Sequence, residues 1–311
     1  MKEPRGQELI NRYKKNYRIP ESANISEEMI LRHWELEKNL TLELLSSTSE
    51  NRWEVFESCY SRLYQELYWL NKLIHTDVKS VENYSSYSLW MQLIGSPPKK
   101  IYEVGSGKGE MIAYLAKQGY QCRATEITRE RGQKFTKEVQ NLTWNIIDGV
   151  HLASFEQKEF YDVVFSNQVI EHFHPDDIIT HFKNTYAILK KGGRYIFSTP
   201  HRYNGPRDIS QVFKSDVPKG MHLKEYTFRE IKNLLLKAGF LKIESFFKIP
   251  RTISNNLNIA IKPRISTLYL WYLIFLETLM GVFPKQNFRR RVFRIAKIIL
   301  FTSGINIIAT K

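Results

Sequence analysis

Cysteine is almost missing from this 311-residue sequence. Cys59 and Cys122 stand far apart and outside any ligand-like spacing, which excludes a disulfide framework or a zinc site as the organising device. The opening stretch MKEPRGQELINRYKKNYRIP has no apolar core of the kind a signal peptide needs, so a cytoplasmic setting is expected. There is no internal repeat and no low-complexity tract. Acids are scarce at the other end: residues 251–311 hold ten Lys or Arg against one acid, Glu277, in a chain whose net charge is +14. Such asymmetry suits an anionic partner, nucleic acid or membrane lipid, and equally a solvated basic face.

Apolar residues make up 42% of the chain, with 18 Phe, 17 Tyr and 6 Trp. That is enough for a sizeable core and excludes wholesale disorder. The length suits one large domain with additions. Residues 1–80 read as helical. ISEEMILRHWELEKNLTLELL consists of helix formers behind a cap at Asn24 or Ser26. A second helix is expected from near Ser47, with Glu50 in capping-box spacing. Its apolar positions from Trp53 to Leu70 recur at helical intervals, as a packing stripe does. SYSLWMQLIG reads as one more helix, stopped by Gly95 and Pro97-Pro98.

From Lys100 the pattern changes to alternating strand and helix, the grammar of a parallel sheet covered on both faces. IYEV, YQCRATEI, LTWNII, YDVVFS, GRYIFST and LKIESFFKI read as six strands. Helices are expected near 129–139, at 175–189 with Pro175 in the first turn, and over TFREIKNLLLKAGF, where Thr227 and Glu230 have capping-box spacing and Gly239 is the stop. INIIATK, 305–311, reads as a last strand. About fifty residues separate it from the sixth, far more than an ordinary connection.

The stretch IYEVGSGKGEMIAYLA, 101–116, runs from strand through a glycine turn into a helix and therefore asks which ligand the turn holds. A dinucleotide fingerprint wants a glycine five residues after the first, and Glu110 stands there. A P-loop needs Gly-Lys followed by Ser or Thr, with a glycine five residues upstream of that pair. Here Gly109 follows Lys108 and Tyr102 holds the upstream place. Glu103 gives E-x-G-x-G-x-G, and a carboxylate there suits a ligand carrying an ammonium and a sulfonium better than a pyrophosphate. Residues 100–249 carry further signals: Glu126 after strand two, Asp148 in IIDGV after strand three, YDVVFSNQVIEHFHPDD, LKKGGRYIFSTPH and MHLKEYTFREIKNLLLKAGF. This series resembles the class I S-adenosylmethionine-dependent methyltransferases. The likeness is greatest to the branch with ubiquinone- and menaquinone-biosynthesis enzymes and bacterial natural-product and glycan methyltransferases.

The resemblance implies an α/β Rossmann-like fold with a seven-stranded, mostly parallel sheet and helices on both faces. It implies S-adenosyl-L-methionine as cofactor, held by Glu103, Gly105, Gly107, Gly109, Glu126, Asp148, Ser166 and Asn167. The glycines let the backbone approach the methionine portion; Glu126 is placed for the ribose hydroxyls and Asp148 for the adenine amino group. Some quinone-pathway members bind a metal through Glu-x-x-Glu-His. Here that run is Gln168-Val-Ile-Glu171-His172, and an amide weakens a site that prefers anionic oxygens, so no metal is expected. For a hydroxyl acceptor the enzyme must align the nucleophile and remove its proton. Histidine suits that role: among His172, His174, His201 and His222, we single out His172 and His201 as catalytic candidates.

The expected organisation is an N-terminal helical extension or lid over 1–95, a core over 96–250, a hydrophobic basic helical insertion over 251–303 and the final strand over 304–311. Within the insertion, ISTLYLWYLIFLETLMGVF is nineteen residues with one charge, nearly a bilayer span. A single crossing would strand the last strand on the wrong side, and Val292–Phe301 is too short and too charged for a second. An interface-lying segment with the Arg289–Arg291 cluster against anionic headgroups is favoured over a span, the competing reading being a packed helical subdomain or homodimer interface. The acceptor expected is a small or lipid-linked metabolite. A DNA amino-methyltransferase would show an Asp/Asn-Pro-Pro-aromatic run after strand four and a cytosine-C5 enzyme a nucleophilic Cys, whereas this chain reads Ser166-Asn167-Gln168-Val169. A nucleic-acid (RNA) methyltransferase and a non-catalytic S-adenosylmethionine-binding protein are the alternatives.

Overall fold

The computed structural model describes residues 3–74, 81–128, 132, 136, 138–247, 263–283, 288–293 and 304–311. The chain divides into two compact units, one of residues 1–80 with 205–225 and one of residues 81–204 with 226–311.

The first unit is built on helices α1 (Gly6–Tyr17), α2 (Glu27–Ser46), α3 (Arg52–Glu66) and α4 (Tyr68–Ile74). Ser26 is the cap of α2, its hydroxyl accepting from the Met29 N–H. The helix expected from Ser47 starts five residues later. Ser47 spends its hydroxyl on the Leu44 carbonyl, and Asn51 accepts from the Thr48 N–H and turns the chain into α3. Residues 205–225 belong with these helices, a membership that the sequence pattern did not announce. Arg12 donates to the Val212 and Gln211 carbonyls at 2.7 and 2.6 Å, Trp34 stacks on Phe213 at 4.8 Å, and the Thr41 hydroxyl accepts from the Met221 N–H.

The second unit holds the sheet. Its strands are β1 (Lys100–Val104), β2 (Gln121–Glu126), β3 (Leu142–Ile146), β4 (Tyr161–Asn167), β5 (Leu189–Thr199), β6 (Lys242–Phe247), β7 (Arg264–Ser266) and β8 (Ile305–Thr310). Among the described residues they run in the order β3-β2-β1-β4-β5-β8-β6-β7. The first five are parallel, and β8 enters antiparallel between β5 and β6. β7, absent from the seven-stranded expectation, adds a short antiparallel edge against β6.

Side chains alternate across a strand, so consecutive apolar residues serve opposite faces. Tyr102, Val164 and Phe197 pack on one side with helices α7 (Ile178–Ile188), α8 (Phe228–Ala238) and α9 (Thr267–Gly281). Ile101, Val163 and Ile196 pack on the other with α5 (Val81–Ile94) and α6 (Glu110–Lys117). This is why the expected boundary at residue 95 moves to 80/81: α5 seals a face of the sheet with Trp90, Leu93 and Ile94. The α8 capping box forms as the spacing implied, and Gly239 ends the helix at φ 106°. Pro175 lies outside α7, which begins at Ile178. Most of the helix expected near 129–139 (residues 129–131, 133–135 and 137), and residues 294–301 of the second apolar stretch, lie outside the described residues.

Candidate cofactor and methyl-transfer site

The carboxyl ends of β1 to β5 share one rim, the place where an open α/β sheet binds ligands. Hydrogen bonds tie these ends pairwise. After β1 the chain turns through Gly105, Gly107 and Gly109 at φ 67°, 57° and 74°, a region glycine enters at little cost. A Cβ on Gly105 would stand 2.7 Å from Val169 Cγ2, and one on Gly109 2.7 Å from the Trp144 ring. The turn is anchored to β2: the Thr125 carbonyl accepts from the Ser106 N–H at 2.8 Å and Glu126 Oε2 from the Gly107 N–H at 2.8 Å. The other Glu126 oxygen accepts from the Ile127 N–H.

Glu103 is buried, and its Oε2 has no hydrogen-bond partner among the described residues. Burial raises its carboxyl to about 8; the Ser106 hydroxyl opposes the shift and neighbouring Glu126 adds to it. An unpaired acid at this depth is costly unless a cation or donor arrives. Thr128 Oγ1, just beyond β2, is likewise buried and has no hydrogen-bond partner among the described residues. A lone threonine in a loop carries no pattern that would mark it in the sequence.

Asp148 accepts from the Val150 and His151 N–H groups at 2.7 and 2.8 Å and pairs with His151 Nδ1 at 2.6 Å. It thus shapes the loop after β3. Ser166, wholly buried, starts an interior relay: it donates to Tyr195 at 2.8 Å, Tyr195 to His181 Nε2 at 2.9 Å, and His181 Nδ1–H to the Gly149 carbonyl at 2.8 Å. The direction follows from Gly149, whose carbonyl can only accept. Burial lowers His181 to about 4, which keeps the ring neutral. Asn167 Oδ1 accepts from the Ser198 hydroxyl, joining the ends of β4 and β5.

The two histidine candidates differ in placement. His172 ends a single helical turn, Ile170–His172, directly after β4 and is half-buried. Beside it Glu171 is buried and accepts from the Thr199 hydroxyl at 2.9 Å. His201 is wholly buried. Its Nδ1 accepts from the Tyr203 N–H at 3.0 Å, its Nε2 donates to Glu277 Oε2 at 2.9 Å, and Phe293 stacks on the ring at 5.0 Å. Both nitrogens are committed, so the ring holds the loop after β5 against α9. His174 is buried, its Nδ1 accepting from the Asp176 N–H, and His222 lies in the helical unit, donating to Glu225 at 2.9 Å.

A family model described as a methyltransferase domain matches residues 86–245, half of the chain. The chain belongs to this methyltransferase family. It is a class I S-adenosylmethionine-dependent methyltransferase domain, and S-adenosyl-L-methionine is its cofactor. An S-adenosyl-L-methionine-dependent Diels–Alderase of Talaromyces variabilis is 29% identical over 174 residues, 51% of this chain and 56% of that protein. The chain thus spans about half the length of that curated relative. In fold the chain is similar to the Burkholderia thailandensis 1,6-didemethyltoxoflavin-N1-methyltransferase, with a TM-score of 0.52 and 15% identity over 85% of this chain and 91% of that one. It is also similar to Haemonchus contortus phosphoethanolamine N-methyltransferase 2, with a TM-score of 0.50 and 16% identity over 85% of this chain and 60% of that one. The methyltransferase domain suits its cofactor at two points of this chain: Glu103 offers a buried carboxylate oxygen, unpaired among the described residues, to an ammonium, and the glycine turn carries no side chain at 105, 107 and 109.

Proposed function

We propose that the whole protein transfers the methyl group of S-adenosyl-L-methionine to a hydroxyl of a small or lipid-linked metabolite, with His172 as the base. The observation that carries the hydroxyl reading is the contrast between the two histidines. His172 stands half-buried on the rim after β4, while His201 is wholly buried between the loop after β5 and α9. A hydroxyl must lose its proton as it attacks, and a rim histidine suits that transfer.

The bound cofactor supplies a methyl already activated by its sulfonium. Around it, Glu103 pairs with the ammonium, and Gly105, Gly107 and Gly109 let the backbone close on the methionine portion. Glu126, at the end of β2, accepts from the ribose hydroxyls. Asp148 receives the adenine amino group, and Ser166 and Asn167 set the strand end from which His172 follows. With Gln168 in place of a carboxylate, no metal enters the proposal.

The names of both structural relatives support a small acceptor, and an anionic membrane is where a lipid-linked one would be met. A second reading has one observation in its favour: the Talaromyces relative is named for a Diels–Alder reaction rather than methyl transfer. Label transfer from methyl-labelled S-adenosylmethionine into small-molecule and lipid fractions separates the two. Under the proposal His172→Ala lowers transfer roughly 10²–10⁴-fold with cofactor affinity nearly unchanged. Transfer at the wild-type rate by that variant removes the base. Cofactor binding without any transfer by the wild type favours the second reading.

A further inference from the structure

Helix α9 is apolar on two opposite sides, and the core uses only one. Leu270, Leu273, Ile274 and Met280 are buried, together with the helix's one acid, Glu277. On the opposite stripe Leu268 is 82% exposed, Phe275 59% and Trp271 53%, and Tyr272 and Leu279 are exposed with them. Positions 268, 271, 272, 275 and 279 follow the three-and-four spacing of a single helix face. A helix apolar all round belongs in a protein core or in lipid, and an exposed continuous apolar stripe of this kind marks a contact surface.

We propose that this outward face of α9 docks on an anionic lipid bilayer, the helix lying in the interface. Three features select that occupant. The exposed side chains are rich in Trp, Tyr and Phe, the residues that settle at headgroup level. Lys232 Nζ stands 4.1 Å over the Trp271 ring, and near the helix in sequence Arg264, two residues before its Ser266 cap, and Arg291, ten residues beyond its end, are exposed. The acid that would repel anionic lipid is turned inward and satisfied by His201 and the start of α8. A two-fold contact between copies of the chain would instead set this basic patch against an identical basic patch, whereas anionic headgroups neutralise it. Spanning is ruled out for this helix. Its fifteen residues rise about 22 Å against a hydrocarbon core of about 30 Å, and among the described residues no helix is long and apolar enough to cross a membrane.

The structure also divides the arginine cluster expected to meet lipid. Arg289 donates to the Gly281 and Phe283 carbonyls and lies 4.9 Å over the Tyr203 ring. It therefore finishes the C-terminus of α9 and is not counted among the docking cations.

This surface goes beyond methyl transfer and does not depend on it. The test is flotation of the intact protein with vesicles of phosphatidylcholine alone, or mixed with phosphatidylglycerol, at low salt. Wild type should float with both and favour the anionic vesicles. Trp271→Ser with Phe275→Ser should weaken binding to both about tenfold or more. Lys232→Gln, Arg264→Gln and Arg291→Gln together should leave binding to neutral vesicles and remove the anionic preference, about fivefold per cation. Cofactor calorimetry on each variant checks that the fold is kept. Leu268→Ser, at the most exposed site, serves as the milder variant and should weaken binding to both vesicles if the double change unfolds the protein. Wild type that stays unbound overturns the proposal, as does equal flotation of wild type and the folded apolar variants. A wild-type dimer without vesicle affinity, made monomeric by the Trp271 and Phe275 changes, assigns the face to a second copy instead. None of these failures touches cofactor binding.

Discussion

His201 donates from Nε2 to Glu277 Oε2 across 2.9 Å, although 76 residues separate them in the chain. The same carboxylate accepts from the Phe228 N–H at 2.6 Å and the Arg229 N–H at 3.2 Å, at the N-terminus of α8. One buried acid thus satisfies a helix start, where the dipole favours negative charge, and fixes the tautomer of a buried ring. It also explains the single charge inside the apolar run of α9.

Stability should depend on that hub. Glu277→Ala strands the His201 ring N–H and the Phe228 N–H in the interior, each costing about 1–3 kcal/mol. Glu277→Gln keeps an acceptor oxygen and should cost less. Urea unfolding of the two variants measures the difference. Wild-type midpoints for both would show that the hub contributes nothing to folding.

Glu103 should report cofactor binding by releasing a proton. Its carboxyl is raised from 4.5 to about 8 by burial, so the stability it allows the cofactor-free protein is full below 4.5. That stability is lost as pH rises through about 8, where the buried group must ionise. A cofactor ammonium beside it favours the carboxylate. Between those two pH values binding should therefore expel a proton, and calorimetry in buffers of different ionisation enthalpy counts it. Glu103→Gln should bind more weakly and expel none from this site. An unchanged proton count in that variant would sink the assignment.

At acid pH the relay through His181 should fail first. Burial lowers this ring from 6.5 to about 4. Stability resting on its neutral form is complete above 6.5 and drains as pH falls toward 4, at up to about 1.4 kcal/mol per unit. The groups facing the ring are the Tyr195 hydroxyl, the Gly149 carbonyl and, at longer range, Asp148. Unfolding free energy measured across that range should be flatter in His181→Asn. A parallel slope in wild type and variant would place the acid sensitivity elsewhere.

The glycine turn and its acid should separate binding from folding. Glu126→Gln removes charge while keeping an oxygen for the Gly107 N–H, and should weaken cofactor binding with little change in circular dichroism. Gly105→Ala demands a Cβ at φ 67° against Val169, so it should cost about 1–2 kcal/mol of stability as well as affinity. Calorimetry and thermal melts on the pair test this division. Wild-type affinity in both variants would move the cofactor away from this turn.

The sequence by itself determined what depends on near neighbours. Strand period, the positive-φ glycines between β1 and α6, the Ser26 cap and the Thr227–Glu230 box arise from residues within a few positions of one another, so the parallel strands and the glycine turn were legible as pattern. Glu103 could be read too, because its place follows from the strand that carries it.

Tertiary structure alone decided what depends on distant partners. His172 and His201 follow comparable strand ends and look alike in sequence; only the arrival of Glu277, Tyr203 and Phe293 seals the second ring. Residues 205–225 joined the helical unit through Arg12, Trp34 and Thr41, and β7 became a strand because β6 left an edge for it. A hydrogen bond across 76 residues leaves no periodic trace, since its free energy comes from burial that the fold must first create.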